Sequence, residues 1–215
     1  MLIFWGAIAV VALCVWRFTN YRRKQRADAM RRVAEELGLE YSAVSDDAFI
    51  ESFGLFELFS KGRAKKVFNL MQGTSADRAL AIFDYQFVTG HGKSTRTNRT
   101  TTLCLRFTGE PLPTFTLRPE NLGDKIVRFF RKNDIDFDTH PYFSRMYVLR
   151  GDDETAIRGL FTVPLLEYYE ARNPLYTEGR DQTLIVYRIG RVSPQEINSL
   201  LAEGLELLAR LNRAT

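Results

Sequence analysis

An uncharged apolar run opens the chain, and a basic segment follows it. The run covers residues 1–16, MLIFWGAIAVVALCVW, and the basic segment covers residues 17–32. An α-helix of sixteen residues spans about 24 Å, and continuation through Tyr21 lengthens it to about 31 Å, close to the roughly 30 Å hydrocarbon core of a bilayer. The sequence therefore predicts a transmembrane helix over residues 1–21, with Trp5 and Trp16 near the two interfaces.

The charges after the run predict its orientation. A cleavable signal peptide carries positive charge before its apolar run and a small-residue cleavage site after it, whereas the only Ala-x-Ala here, at 7–9, lies inside the run. The residues predicted to lie at the membrane surface are Arg17, Arg22, Arg23, Lys24 and Arg26. Positive charge on this side predicts a single-pass protein of the inner (cell) membrane, with its N-terminus outside and a cytoplasmic C-terminal domain. The alternative is a buried N-terminal core helix.

The position of the basic residues argues against nucleic-acid binding. The chain has 30 Lys and Arg against 26 Asp and Glu, but seven of the basic residues and only one acidic residue lie in 17–32. The rest of the chain is therefore slightly acidic, and the basic segment is suited to anionic lipid headgroups. The two cysteines, Cys14 and Cys104, are expected to lie far apart, which fits a reducing compartment.

Periodicity predicts an α+β domain behind the helix. Residues 22–38 read as a basic juxtamembrane helix, in which Met30, Val33, Ala34 and Leu37 form a stripe that ends at Gly38. Strands are predicted at 66–72, 78–88, 100–107, 114–118, 143–149, 175–179 and 183–189, and helices at 122–131, 153–161, 164–172 and 193–212. The predicted fold is thus an N-terminal transmembrane helix followed by one domain, with a curved antiparallel sheet of six or seven strands and a C-terminal amphipathic helix packed on it.

One acidic segment is a candidate metal site. Asp134, Asp136, Asp138 and His140 alternate in the sequence, so that an extended chain would point all four side chains to one side and could hold a divalent cation. The segment is not an EF-hand, because Thr139 replaces the turn glycine and Arg145 stands where the glutamate is needed. The alternative is a solvated loop with Ile135 and Phe137 directed inward.

Three other features have structural interpretations. The segment 90–94, GHGKS, lacks the first glycine of a phosphate-binding loop and is predicted to be a hairpin tip. Asp84, between apolar neighbours in a strand, is predicted to form a buried ion pair with an arginine such as Arg106. The basic stretch Lys61–Lys66 is predicted to be a solvated turn, with lipid contact as the alternative.

Three strings carry a resemblance. They are the stretch from Phe83-Asp84-Tyr85 to Gly90, Leu117-Arg118-Pro119-Glu120, and DIDFDTHPYFSRMYVLRG at 134–151. In these strings the chain resembles uncharacterised bacterial proteins with a single N-terminal membrane span and a soluble domain, over nearly its whole length. The resemblance implies a bacterial inner-membrane setting and assigns no activity to any side chain.

These observations predict a division into a transmembrane anchor at 1–21, a basic juxtamembrane helix at 22–38 and a cytoplasmic α+β domain at 39–215. The predicted function is a membrane-tethered, non-enzymatic interaction or ligand-binding module without a cofactor. Its expected partners are the lipid bilayer, anionic headgroups at the basic segment and a protein of unknown identity, and not nucleic acid. The alternatives are a metal-dependent enzyme that uses residues 134–140, and a pleckstrin-like lipid-binding domain.

Overall fold

A long helix, α1 (Leu2–Leu37), opens the fold. The structure, a computed structural model, describes residues 2–75, 77–120 and 134–212, and the side chains of α1 from Ala12 onward. The helix ends where Gly38 takes a φ of +67°, a conformation that glycine adopts at little cost. Met30 and Ala34 are fully buried against the sheet, as their spacing predicts. The second half of α1 is therefore part of the globular core.

The predicted membrane anchor is wrong. Among the described residues, no helix combines the length and the apolar character that crossing a bilayer requires. The predicted span at 1–21 counted on continuing past Arg17, and Arg22, Arg23 and Lys24 follow immediately without a break in the helix. The single-pass topology and the inner-membrane location with a cytoplasmic domain, which rest on this span, are corrected with it.

One antiparallel sheet of eight strands forms the centre of the described chain. Its strands are β1 (Glu40–Val44), β2 (Arg63–Thr74), β3 (Arg78–Thr89), β4 (Arg96–Phe107), β5 (Leu112–Pro119), β6 (Tyr147–Gly151), β7 (Tyr176–Asp181) and β8 (Thr183–Ile189). Their order in the sheet is β1-β2-β3-β4-β8-β7-β5-β6. The predicted fold class is therefore corrected: an eight-stranded antiparallel sheet with helices on it replaces a membrane helix followed by a domain of six or seven strands.

Alternation along β3 and β4 sorts their side chains onto two faces of the sheet. Ala81, Phe83, Tyr85 and Phe87 belong to one buried cluster, whereas Leu103 and its alternate neighbours on β4 belong to the other. Both faces agree with the prediction from the sequence. The two strands pair over twelve positions, and the short 3₁₀ turn Gly92–Ser94 connects them, so that 90–94 is a hairpin tip as predicted.

Helices cover both faces. Two short helices, α2 (Asp47–Glu51) and α3 (Glu57–Ser60), lie with Phe53 and Phe59 against the face that carries Phe83. The other face, which α1 covers in part, also carries the helices α4 (Pro141–Met146), α5 (Glu154–Leu160), α6 (Val163–Glu170) and α7 (Ile197–Leu211). Helix α7 follows the predicted capping box of Ser193 and Glu196. Gly204 of α7 lies against Leu103, where a Cβ atom would be 2.2 Å from Leu103 Cδ2.

Some local predictions fail. The strand predicted at 143–149 begins only at Tyr147, because Pro141 starts α4 and buries Phe143 in the core. Lys61–Lys66 is not wholly a turn, since β2 begins at Arg63. The helix predicted at 122–131 lies outside the described residues.

Candidate anion-binding cleft

A buried ion pair fixes α1 to the sheet. Arg26 of α1 donates from Nε to Asp84 Oδ2 at 2.6 Å and from Nη2 to Asp84 Oδ1 at 2.7 Å. The side chains are 13% and 4% exposed. Two parallel N–H···O bonds are the strong, oriented form of the arginine–carboxylate interaction. Arg26 therefore sets where α1 crosses β3.

Other polar groups complete the coordination of this pair. Asn69 Nδ2 donates to Asp84 Oδ2 at 2.8 Å, and Thr101 Oγ1 donates to Oδ1 at 2.9 Å. Arg26 Nη1 also donates to the carbonyl oxygen of Val192 at 2.9 Å. Asn69 has a φ of +51° at an irregularity in the β2–β3 register, a conformation that asparagine tolerates better than most residues. The charges of Arg26 and Asp84 thus satisfy each other.

A row of polar residues lies beside the pair on the same face of the sheet. Lys66 of β2 pairs with Gln86 of β3, and Gln86 pairs with Arg99 of β4. Arg99 Nε donates to Gln86 Oε1 at 2.9 Å, which orients the guanidinium. The amide of Gly190 donates to the carbonyl oxygen of Arg99 at 3.0 Å, and this bond brings the next residue, Arg191, beside Arg99. Lys66, Gln86 and Arg99 therefore form a row across the sheet, and Arg191 lies beside Arg99 in the segment that follows β8.

Helix α1 adds two further cations opposite this row. Arg22 and Arg23 precede Arg26 by four and three positions, so they project from the same side of the helix. Together with the row they line a cleft of about 990 Å³ between α1 and the sheet. We call it the basic cleft. Besides Arg26, which is paired with Asp84, the cations that line it are Arg22, Arg23, Lys66, Arg99 and Arg191.

The positive charge of the basic cleft is not balanced by the described part of the chain. None of these five cations forms a salt bridge with a described carboxylate. Asp84 lines the cleft but is already bonded to Arg26. Burial lowers the pKa of Arg191, and the neighbouring charges of Arg26, Arg99 and Arg23 lower it further, against an opposing effect of Asp84. The arrangement is suited to an anionic ligand.

Exposed apolar side chains lie next to the basic cleft on α1. Leu13, Val15, Trp16, Phe18 and Tyr21 are each more than half exposed. Phe18 also lines the cleft, and the guanidinium of Arg22 lies 5.2 Å from the centre of its ring. Contiguous exposed apolar groups in a folded chain mark a binding surface. We call these five side chains, which lie within residues 13–21, the apolar segment.

A second buried carboxylate lies on the opposite face of the sheet. Glu178 of β7 is 3% exposed, accepts backbone N–H bonds from Glu57 at 2.6 Å and Leu58 at 3.0 Å, and accepts a bond from the Tyr187 hydroxyl at 3.3 Å. Burial raises the pKa of Glu178 to about 7, although the two backbone bonds and the charge of Lys61 oppose the shift. Glu178 holds the start of α3 against the sheet.

The predicted metal ligands are not brought together. Asp134 forms an ion pair with Arg150 at 2.7 Å, and His140 shares a hydrogen bond with the adjacent Thr139. Asp136 and Asp138 are exposed. No group of three or more His, Cys, Asp or Glu that could hold a metal ion occurs in 2–75, 77–120 or 134–212. Metal binding at 134–140 stays a prediction from the sequence.

The other predicted site residues have separate positions. Arg22 and Arg23 line the basic cleft and Arg26 is in the buried pair, whereas Arg17 and Lys24 are exposed and do not line the cleft. Their contact with a membrane surface stays a prediction.

Asp84 is buried and paired as expected, but its partner is Arg26 and not Arg106. Arg106 lies on the other face, with its guanidinium 5.0 Å from the centre of the Phe53 ring. The cleft residues Lys66, Arg99 and Arg191 carry no local motif, and only the pairing of the strands brings them together.

Comparison with known proteins shows a likeness of fold. No protein-family model matches the sequence. No curated protein matches it either. Among solved structures, the chain is similar to the crystal structure of the mycobacterial trehalose monomycolate transport factor A, TtfA, with a TM-score of 0.57 and 12% sequence identity. The similarity covers 87% of this chain and 93% of that chain, so the sheet and its helices are shared as an arrangement of the backbone.

Proposed function

We propose that this protein is a non-enzymatic lipid-binding module that binds an anionic amphiphile where α1 meets the sheet. The observation that carries the proposal is the contact between two unlike surfaces. The apolar segment at 13–21 adjoins a cleft with five cations, and Phe18 belongs to both surfaces. An amphiphile is the class of ligand whose chemistry matches both at once.

The physical gain comes from two separate terms. Covering apolar side chains with hydrocarbon contributes about 0.8 kcal/mol for each buried CH₂ group. Each basic residue near an anionic surface contributes about 1 kcal/mol, and salt screens this second term. A ligand that lacks either the negative charge or the hydrocarbon part loses the corresponding contribution to the binding free energy. The proposal therefore predicts binding that depends on both a negative headgroup and an apolar part.

The likeness of fold supports the same proposal. The similar solved structure is described as a transport factor for trehalose monomycolate. We extend a lipid-associated role to the present chain as part of the proposal.

The alternative functions have less support. The metal-dependent enzyme requires residues 134–140 to converge, and the ion pair of Asp134 with Arg150 uses one of the four candidate ligands. The pleckstrin-like domain requires a closed barrel, whereas the described sheet has β1 and β6 at two separate edges.

Vesicle sedimentation tests the proposal. We expect the full chain to sediment with vesicles of phosphatidylglycerol and phosphatidylcholine, and to bind pure phosphatidylcholine at least tenfold more weakly. Raising NaCl from about 50 to about 500 mM shortens the screening length several-fold and should weaken the binding to the anionic vesicles. Trp16→Ser with Phe18→Ser should reduce the binding at least tenfold, because two exposed aromatic side chains are lost from the apolar segment.

The matched control removes exposed apolar groups elsewhere. Leu55 and Val163 are 76% and 52% exposed and lie outside the cleft and the apolar segment. The variant Leu55→Ser with Val163→Ser should bind vesicles as the native chain does. Absence of binding to both kinds of vesicle, or an equal loss in the two double variants, would contradict the proposal.

A further inference from the structure

The cations of the basic cleft are positioned to converge on one small group. Neighbouring strands are about 4.8 Å apart, so Lys66 and Arg99, two strands apart in the same row, have backbones separated by about 10 Å. Lysine and arginine side chains are long enough to reach the middle of this gap from both sides. Arg191 follows Gly190, which is bonded to the backbone of Arg99, and lines the same cleft. The row therefore places a cation on each side of Gln86, and Arg191 lies next to Arg99.

Helix α1 lies on the other side of the cleft. Arg26 is fixed to Asp84, one row away on the same face of the sheet, and this bond holds the preceding turn of α1 over the row. Arg22 and Arg23 lie in that turn and line the same cleft. A group above Gln86 can thus meet cations from the sheet and from the helix.

We propose that Lys66, Arg99 and Arg191, together with Arg22 and Arg23, bind the phosphate group of a phospholipid headgroup. This inference rests on the proposed lipid-binding function and names the headgroup that the basic cleft selects.

The hydrogen-bonding groups of the cleft favour phosphate over other headgroups. The five cations offer only donors, and the two acceptor side chains in the row and beside it are already used, Gln86 by Arg99 and Asp84 by Arg26. A neutral sugar headgroup can accept hydrogen bonds from these donors, but it carries no negative charge and leaves the cations unbalanced. A planar carboxylate presents two oxygens in one plane. A tetrahedral phosphate presents several oxygens in different directions, which suits cations that approach from both the sheet and the helix.

The electrostatics of Arg191 agree with this inference. Its pKa is lowered first by burial and then by Arg26, Arg99 and Arg23, against Asp84, so the native arrangement gathers like charges around this guanidinium. A doubly or singly charged phosphate between these residues relieves that repulsion. Binding should therefore stabilise the folded chain against heat or denaturant.

Two soluble probes test the site without a bilayer. Isothermal titration of the full chain with inorganic phosphate and with glycerol 3-phosphate, at constant ionic strength set with NaCl, should show saturable binding. Lys66→Gln with Arg191→Gln should weaken it at least tenfold. The matched control, Lys65→Gln with Arg96→Gln, removes the same charge from β2 and β4 outside the cleft and should leave the binding within twofold of native. Equal weakening in both variants would overturn the phosphate site, because net charge alone would then explain the effect.

Vesicles of equal charge but different headgroup separate this inference from the proposed function. Vesicles with phosphatidylglycerol should bind at least tenfold more tightly than vesicles in which oleate supplies the same negative charge. If both bind equally, the lipid-binding function stands and the selection of phosphate is overturned. If inorganic phosphate binds in the cleft but neither vesicle does, the lipid-binding function fails, and with it the assignment of the phosphate to a lipid.

Discussion

Replacing Asp84 with alanine is expected to destabilise the folded chain by about 3–5 kcal/mol. The substitution leaves the Arg26 guanidinium, 13% exposed, without its carboxylate, and removes the acceptor of the Asn69 and Thr101 side chains. Breaking a buried ion pair by removing one partner costs this much because the remaining charge is desolvated without compensation. Urea unfolding, followed by circular dichroism, measures the loss.

A double variant separates the ion pair from the packing around it. Arg26→Met with Asp84→Leu removes both charges and keeps apolar volume at the crossing of α1 and β3. Because no uncompensated charge remains, it should lose less stability than the sum of the two single variants. The surface pair of Arg158 and Glu154 offers a comparison, since exposed pairs contribute at most about 1 kcal/mol. A loss for Asp84→Ala no larger than for Glu154→Ala would contradict a stabilising role of the buried pair.

The same variants bear on the basic cleft. Arg22 and Arg23 line the cleft from α1, and the bond between Arg26 and Asp84 helps to hold this part of α1 over the sheet. We expect trypsin to cleave at the basic residues of α1 sooner in Asp84→Ala than in the native chain, because the helix unfolds locally more often once the buried pair is lost. Loss of phosphate binding in that variant would follow from the displacement of α1, which is why the cleft itself is better tested with Lys66 and Arg191.

Local patterns predicted the elements whose cause is local. The alternation of Ala81, Phe83 and Tyr85 identifies β3 and its buried face, because a strand directs successive side chains to opposite faces. The capping box of Ser193 and Glu196 likewise predicts where the C-terminal helix starts, because its two residues lie within one turn of the chain. These features needed no knowledge of the rest of the fold.

Features that depend on distant contacts were missed or mistaken. Asp84 was recognised as a buried carboxylate, but its partner lies 58 residues earlier in α1 and the residue chosen, Arg106, lies on the opposite face. The basic cleft needs the register of β2, β3 and β4, which places Lys66 and Arg99 on either side of Gln86. No spacing in the sequence indicates this register.

The membrane helix was wrong for a related reason. The apolar residues 1–16 are too short to cross a bilayer, so the predicted membrane helix was extended past Arg17. The contacts that the following turns make with the sheet could not be predicted from the sequence. The structure continues the same helix to Leu37 and buries Met30 and Ala34 in the domain. Arginines 22, 23 and 26, first interpreted as one basic surface, then separate into cleft residues and a buried pair.

The second large effect concerns Glu178 and the pH dependence of stability. Burial raises its pKa from an ordinary 4.5 to about 7 in the folded chain. Between these two values the folded state binds more protons than the unfolded state, so the free energy of unfolding falls as pH rises through this window. The free energy of unfolding falls by about 3 kcal/mol through this window, and above about pH 7 the Glu178 carboxyl makes no further change to it. Urea unfolding at several pH values between about 4 and 8 measures it.

Substitution of Glu178 tests whether this carboxyl causes the pH dependence of the free energy of unfolding. Glu178→Gln does not titrate, so its unfolding free energy should vary less between pH 4.5 and 7 than that of the native chain. Glu167→Gln, at an exposed position on α6, removes the same charge and should keep the native profile. Glu178→Ala leaves the amides of Glu57 and Leu58 without their acceptor and should speed their hydrogen exchange. Parallel pH profiles for the native chain and Glu178→Gln would show that this carboxyl does not titrate abnormally.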